Sequence, residues 1–206
     1  MQKFAIAIFA ILVSFASHGA DSSLCPAGEK TMFACSLGKK TVSICMNVGN
    51  GEIKPRLSYL FGDSKSIELS IPTTQTNQNT RTFFGRILYA RGQTIYVRFE
   101  NGSYEYIVYS NQGYSHRDLS DPNSIYSWLK EGVLVTSNNA VKANHPCKKS
   151  ESPDSVLQNL DLSSQPMLAV INDPDFERVE NILLSIDLDK ALTLRSSGTP
   201  QKHGAP

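Results

Sequence analysis

Residues 94 to 109 read Thr-Ile-Tyr-Val-Arg-Phe-Glu-Asn-Gly-Ser-Tyr-Glu-Tyr-Ile-Val-Tyr. Two runs that alternate like strands flank Asn101-Gly102, the preferred dipeptide for a two-residue turn needing positive φ twice. With those two residues in the turn, Phe99 faces Tyr104, Val97 faces Tyr106 and Ile95 faces Val108 on one side of the ribbon. The other side pairs Arg98 with Glu105, Tyr96 with Ile107 and Thr94 with Tyr109. Such cross-strand pairs contribute roughly 0.2 to 1 kcal/mol each. A ribbon with one such apolar face must bury it, so the chain is read as mainly β.

Working outward, Gly38-Lys39 predicts a second hairpin that sets Phe33 opposite Ile44 and Cys35 opposite Val42. In that register Cys35 and Cys45 lie on opposite faces and about 10 Å apart along the ladder, too far to bridge. The four cysteines, Cys25, Cys35, Cys45 and Cys147, are therefore expected to form two disulfides in which Cys25 and Cys147 are the partners of the other two, the choice between them being open. Further strands are expected at Leu57 to Phe61, Ser66 to Ile71, Thr82 to Ala90 and Gly132 to Thr136, with Asn138-Asn139 as a turn. Pro72 to Thr80 reads as a polar mobile loop, and Asp121-Pro122 as the start of a short helix carrying Ile125, Trp128 and Leu129. Short strands at this spacing specify a small antiparallel barrel or sandwich stapled by disulfides.

The four segments expected are a signal peptide over 1–20, a β domain over 21–147, an extension over 148–194 with one amphipathic helix, and a disordered tail over 195–206. Lys3 followed by the apolar run Phe4 to Val13 and small residues up to Ala20 is the pattern of a removed secretory signal, and is too short for a membrane span. In the extension, Val156, Leu157 and Leu160 mark a helical turn or two, and Met167 to Ile171 a strand. Asp173 is the N-cap of the main helix, Pro174 its first residue, and Phe176, Val179, Ile182, Leu183 and Ile186 recur at helical spacing. That apolar stripe is expected to dock on the β domain.

The chain has 206 residues, with 20 Lys plus Arg against 19 Asp plus Glu. This balance excludes a polybasic nucleic-acid binder and steering toward anionic lipid. An even cysteine count in an exported chain points to an oxidising space, periplasmic or secreted. Neither a CxxC pair nor a Cys with clustered His occurs, so no metal or other cofactor is expected. G-x-S-x-G, H-E-x-x-H, phosphate-binding and dinucleotide signatures are also missing.

The runs Phe33 to Cys45, Tyr59-Leu60-Phe61-Gly62, Glu68 to Pro72 and Arg98 to Ser110 resemble a family of small exported proteins of Gram-negative bacteria. Its members carry a C-x-L-x-N-G-K-x-V-S-x-C start, an R-F-x-N-G-x-Y-x-Y-x-V-Y-S hairpin and a late Cys that Cys147 matches. The likeness covers roughly residues 25 to 147, although this chain has no Asn in the first turn and one residue fewer between Cys35 and Cys45. It implies compartment and fold, not chemistry. Phe33-Ala34-Cys35 with Gly38 is also faintly similar to periplasmic inhibitors of c-type lysozyme, small β-barrels that insert a loop into the lysozyme cleft.

Two functional readings follow. The first is a soluble, non-catalytic binding protein that inhibits a cell-wall hydrolase or acts as an immunity protein against a toxin delivered to the periplasm. Its partner is another protein, not nucleic acid, and no membrane span remains after signal removal. Tyr96, Arg98, Tyr109, Tyr114, His116 and Arg117 form the expected interaction surface, being of the aromatic and Arg types enriched at interfaces, provided that the face carrying Tyr96 points outward. The alternative is an exported hydrolase in which His116 acts as general base with Asp118 or Asp121.

Overall fold

The computed structural model describes residues 23–48, 56–72, 81–116, 121, 123–150, 157 and 171–185. These form eleven strands: β1 (Lys30–Ser36), β2 (Thr41–Asn47), β3 (Arg56–Asp63), β4 (Ser66–Pro72), β5 (Thr82–Tyr89), β6 (Gly92–Asn101), β7 (Tyr104–His116), β8 (Ile125–Ser137), β9 (Ala140–Pro146), β10 (Lys149–Ser150) and β11 (Ile171–Asn172). One helix, α1, follows at 176–185. The expected signal peptide, residues 73–80 of the polar loop, Arg117, Asp118, Pro122, Val156, Leu160, 167–170, Ile186 and the tail lie outside the described residues.

The strands assemble into two sheets, ordered β10-β1-β2-β3-β4 and β11-β5-β6-β7-β8-β9. Neighbours are antiparallel throughout except for β11, which runs parallel to β5. The sheets pack face to face as a sandwich. Phe33, Val42, Ile44, Leu57, Tyr59 and Ile71 of the first meet Phe84, Ile95, Val97, Phe99, Val108 and Val133 of the second. This core follows from period-two alternation: each strand sends every second side chain inward.

The β6–β7 ribbon is in place, but its turn differs from expectation. Asn101 pairs with Tyr104 and only Gly102 has positive φ, +62°, so the turn is Gly102-Ser103. A glycine at the first turn position is the type II′ solution, which needs positive φ once rather than twice. Partners therefore slide to Phe99 with Tyr106, Val97 with Val108 and Arg98 with Ile107. Because the slide is two residues, no side chain changes face.

The first hairpin keeps its expected register, with Phe33 opposite Ile44 and Cys35 opposite Val42. The disulfides are Cys25–Cys45 and Cys35–Cys147, each with Cα atoms 5.4 Å apart. Two disulfides indicate an oxidising, extracytoplasmic compartment. Among the described residues, no helix is long and apolar enough to cross a membrane. The Asn138-Asn139 turn is present with both residues at positive φ.

Ile125, Trp128 and Leu129 are not helical. They belong to β8, where Ile125 pairs with His116, Trp128 with Gly113 and Leu129 with Gln112. The long β7 offers a row of unpaired backbone groups at this end, and satisfying them outweighs the local tendency after Asp121. Beyond Cys147, β10 joins β1, β11 joins β5, and Leu157 is buried in the sandwich core. Helix α1 packs its apolar stripe, Phe176, Val179, Ile182 and Leu183, on the outer face of the second sheet against Ile87, Tyr96, Ile107, Tyr109 and Leu134.

Candidate functional site

Strand length creates the site. β7 and β8 each have 13 residues, whereas β1 to β4 have seven or eight. At ~3.3 Å per residue the longer strands exceed the opposing sheet by roughly 15 to 20 Å. The boundary is the buried pair Ser110 and Glu131, joined by a 2.8 Å hydrogen bond from Ser110 Oγ to Glu131 Oε1. Glu131 Oε2 has no hydrogen-bond partner among the described residues.

Past that pair, the pleat continues to aim side chains in the direction that buries Val97 and Val108, but nothing described covers them. Leu88 is 73% exposed, Ile125 56%, Tyr114 49% and Leu129 44%. Leu88, Gln93, Gln112, Tyr114 and Leu129, with Arg91 and Trp128 at the margin, line a concavity of about 580 Å³. Trp128 belongs to the opposite pleat and lies across Gly113, with Lys130 Nζ 5.3 Å from its ring centroid. Contiguous exposed apolar side chains with a basic and aromatic margin are the composition of a protein-docking surface.

The expected interaction residues divide. Tyr114 is exposed and His116 half-buried on this overhang, and Arg117 lies outside the described residues. Tyr96, Arg98 and Tyr109 are not surface residues: all three are buried under α1. The face carrying Tyr96 points outward from the sandwich, yet the helix covers it.

Beneath α1, Arg98 organises a charge network. Its Nε and Nη2 donate to Asp173 Oδ2 and Oδ1 at 2.8 and 2.5 Å, and Nη1 donates to Glu100 at 2.7 Å and Glu105 at 2.6 Å. Its guanidinium carbon stands 4.3 Å from the Phe83 ring centroid. Tyr96 Oη donates to Asp173 Oδ2 at 3.1 Å. The Tyr96 ring lies flat over Gly85, where any Cβ would fall within 2.2 Å of it. Arg178 of α1 grips Glu105 in bidentate fashion at 2.6 and 3.0 Å.

Burial opposes ionisation of Glu105, but hydrogen bonds from Arg178 and Thr136 and the two guanidinium charges outweigh it, so its pKa lies below the ordinary value. For Arg98, burial likewise opposes the charge, but Asp173 and the glutamates hold its pKa above the usual range. Glu100, Glu105 and Asp175 bring carboxylate oxygens within 4.8 Å of one another, as metal ligands do. Arg98 and Arg178 already supply their positive charge, which makes this an ion-pair network that seats the helix.

Of the alternative catalytic pairings, only that of His116 with Asp121 falls within the described residues. Asp121 Oδ1 accepts the Asn123 amide at 2.8 Å in a tight turn. No hydrogen bond or ion pair joins it to His116 among the described residues, and Asp118 lies outside them. Sequence reasoning missed Leu88, Ile125 and Leu129 as site residues. The available signal was alternation through residues 125–129, which becomes legible only when that stretch is read as a strand paired with β7.

A second concavity, of about 400 Å³, opens between the edge strands β4 and β9, lined chiefly by Leu37, Tyr59, Phe61, Leu69, Tyr106 and Val135. No family model, curated protein or solved structure matches this chain.

Proposed function

We propose that the chain is a periplasmic or secreted binding protein that seats another protein on the β7–β8 overhang, and thereby inhibits a cell-wall hydrolase or neutralises a toxin delivered to the periplasm. One observation carries this reading: Leu88, Tyr114, Ile125 and Leu129 continue the core-facing pleat beyond the opposing sheet and remain exposed. Such a surface gains most from a partner that completes the missing layer, because burying apolar area stabilises by about 25 cal/mol per Å². Aromatic anchors on a scaffold held by two disulfides lose little freedom on binding. Arg91 at the margin favours a partner with acidic residues around its apolar contact.

The test uses the oxidised chain from Asp21 onward, immobilised and exposed to periplasmic and secreted extracts. The expected result is a stoichiometric hydrolase or toxin whose activity falls on binding, and whose capture is lost in Leu88→Ser/Tyr114→Ser. Capture that this variant leaves intact, or bound protein without any change in its activity, overturns the reading.

A further inference from the structure

We propose that the cleft between β4 and β9 is a second, separate binding site, which takes a small neutral molecule with a flat apolar body and one hydrogen-bond acceptor directed at the Tyr59 hydroxyl. The cleft lies where the sandwich is open, since β4 ends the first sheet and β9 the second. Leu37, Phe61, Leu69, Val133 and Val135 supply apolar walls, and the rings of Tyr59 and Tyr106, with centroids 5.3 Å apart, supply an aromatic one. Its volume of about 400 Å³ falls in the range of pockets that hold small ligands. It is continuous with the sandwich core, to which Tyr59 and Val133 belong.

The polar groups define the ligand. Tyr59 is 2% exposed and lines the cleft, and among the described residues its hydroxyl has no hydrogen-bond partner. Reached from the cleft, the hydroxyl can donate to a ligand acceptor, and one such hydrogen bond is worth about 0.5–1.5 kcal/mol. Burial, and after it Tyr106, pushes the Tyr59 pKa well above its ordinary value, so the hydroxyl stays protonated and donates. Among the described residues, no free charge lines the walls. Glu68 at the mouth is already held by Lys40, which also binds Asp63 at 2.6 Å, and His145 is exposed to solvent. A charged ligand would lose water without gaining a counter-ion. The walls therefore select neutral molecules, and the hydroxyl selects those carrying a carbonyl or ether oxygen.

Three probes of nearly equal size separate these terms: acetonaphthone, naphthalene and naphthoate, each titrated against the oxidised protein and followed by amide chemical shifts. Acetonaphthone is expected to saturate, with shifts centred on Tyr59, Leu69 and Val135, and to bind about fivefold more tightly than naphthalene, the worth of one hydrogen bond. Naphthoate is expected to bind at least tenfold more weakly than the ketone. Tyr59→Phe should reduce the ketone to the affinity of naphthalene and leave naphthalene unchanged, and Val135→Trp should block both. The proposal falls if neither neutral probe saturates, as when another part of the chain fills the cleft. It also falls if naphthoate matches the ketone, or if Tyr59→Phe leaves the ketone's affinity intact. The comparison of probes on the unaltered protein decides the matter even where a variant does not fold. None of these outcomes depends on the overhang.

Discussion

The two faces of the six-stranded sheet are covered in opposite ways. The inner face meets another sheet through Ile95, Val97, Phe99 and Val108, contacts that are apolar and non-directional. The outer face meets one helix, and there a buried guanidinium engages Asp173, Asp175, Glu100 and Glu105 beside a smaller apolar cluster. A flat sheet facing a flat sheet is positioned by many strands and a disulfide. A ten-residue helix on a sheet has fewer constraints, and the planar fork of Arg98 donates to the carboxylates in one placement only.

If that difference is real, removing one constraint from each face should fail differently. The largest effect is expected from Cys35→Ser/Cys147→Ser, which opens a cross-link spanning 112 residues. The chain-entropy relation gives a loss of about 4–5 kcal/mol. Urea unfolding should show one transition at a lower midpoint, with sheet and helix signals lost together. Two separated transitions would contradict the shared core.

Next in size is Asp173→Ala, which removes the fully buried carboxylate from the Nε and Nη2 side of Arg98, leaves that charge to Glu100, Glu105 and Asp175, and should cost about 3 kcal/mol. The loss should be local at first: amide hydrogen exchange at 179–185 accelerates while β2 and β3 keep their protection. Arg98→Met/Asp173→Leu should cost less than Asp173→Ala alone, because Arg178 and Arg81 still pair with Glu105 and Glu100. If the double variant is the worse one, the network is a net stabiliser rather than a positioning device.

A smaller effect is expected from pH. Glu105 has a folded pKa below its unfolded value, so its contribution is present above the unfolded value, about 4.3, and is lost as pH falls through the folded one. Helix release, read by the same exchange experiment, should begin below about pH 4.5. Glu105→Gln should remove this acid-dependent component.

The smallest stability effect, within about 0.5 kcal/mol, is expected from Leu88→Ser/Tyr114→Ser, because neither side chain is covered in the free protein. A stability loss well above that in thermal unfolding would mean that the overhang is part of the core and not a surface awaiting a partner.

Much of the inner face was legible in the sequence. Alternation in residues 94 to 109 identified which side chains share a face, and that partition survived a two-residue slide of the turn because the side-chain period is two. The Gly38 hairpin register, the positive-φ pair Asn138-Asn139 and the exclusion of a Cys35–Cys45 bridge were equally local matters of turn chemistry and strand rise. So was the apolar stripe of α1.

The site was much less legible. Periodicity sorts side chains into two faces but carries no information on what covers either. Tyr96 and Arg98 lie on the face turned away from the sandwich core, and their burial depends on Asp173 and α1, 75 residues and more away. Residues 125–129 carry a mixed local signal, and only the free edge of β7 makes them a strand. The overhang follows from a difference in length between strands of opposite sheets. Local backbone preferences and alternation therefore determined the strands, turns and cysteine geometry. Tertiary contact alone decided which face lies under the helix and which end lies bare, because burial depends on segments that meet only after folding.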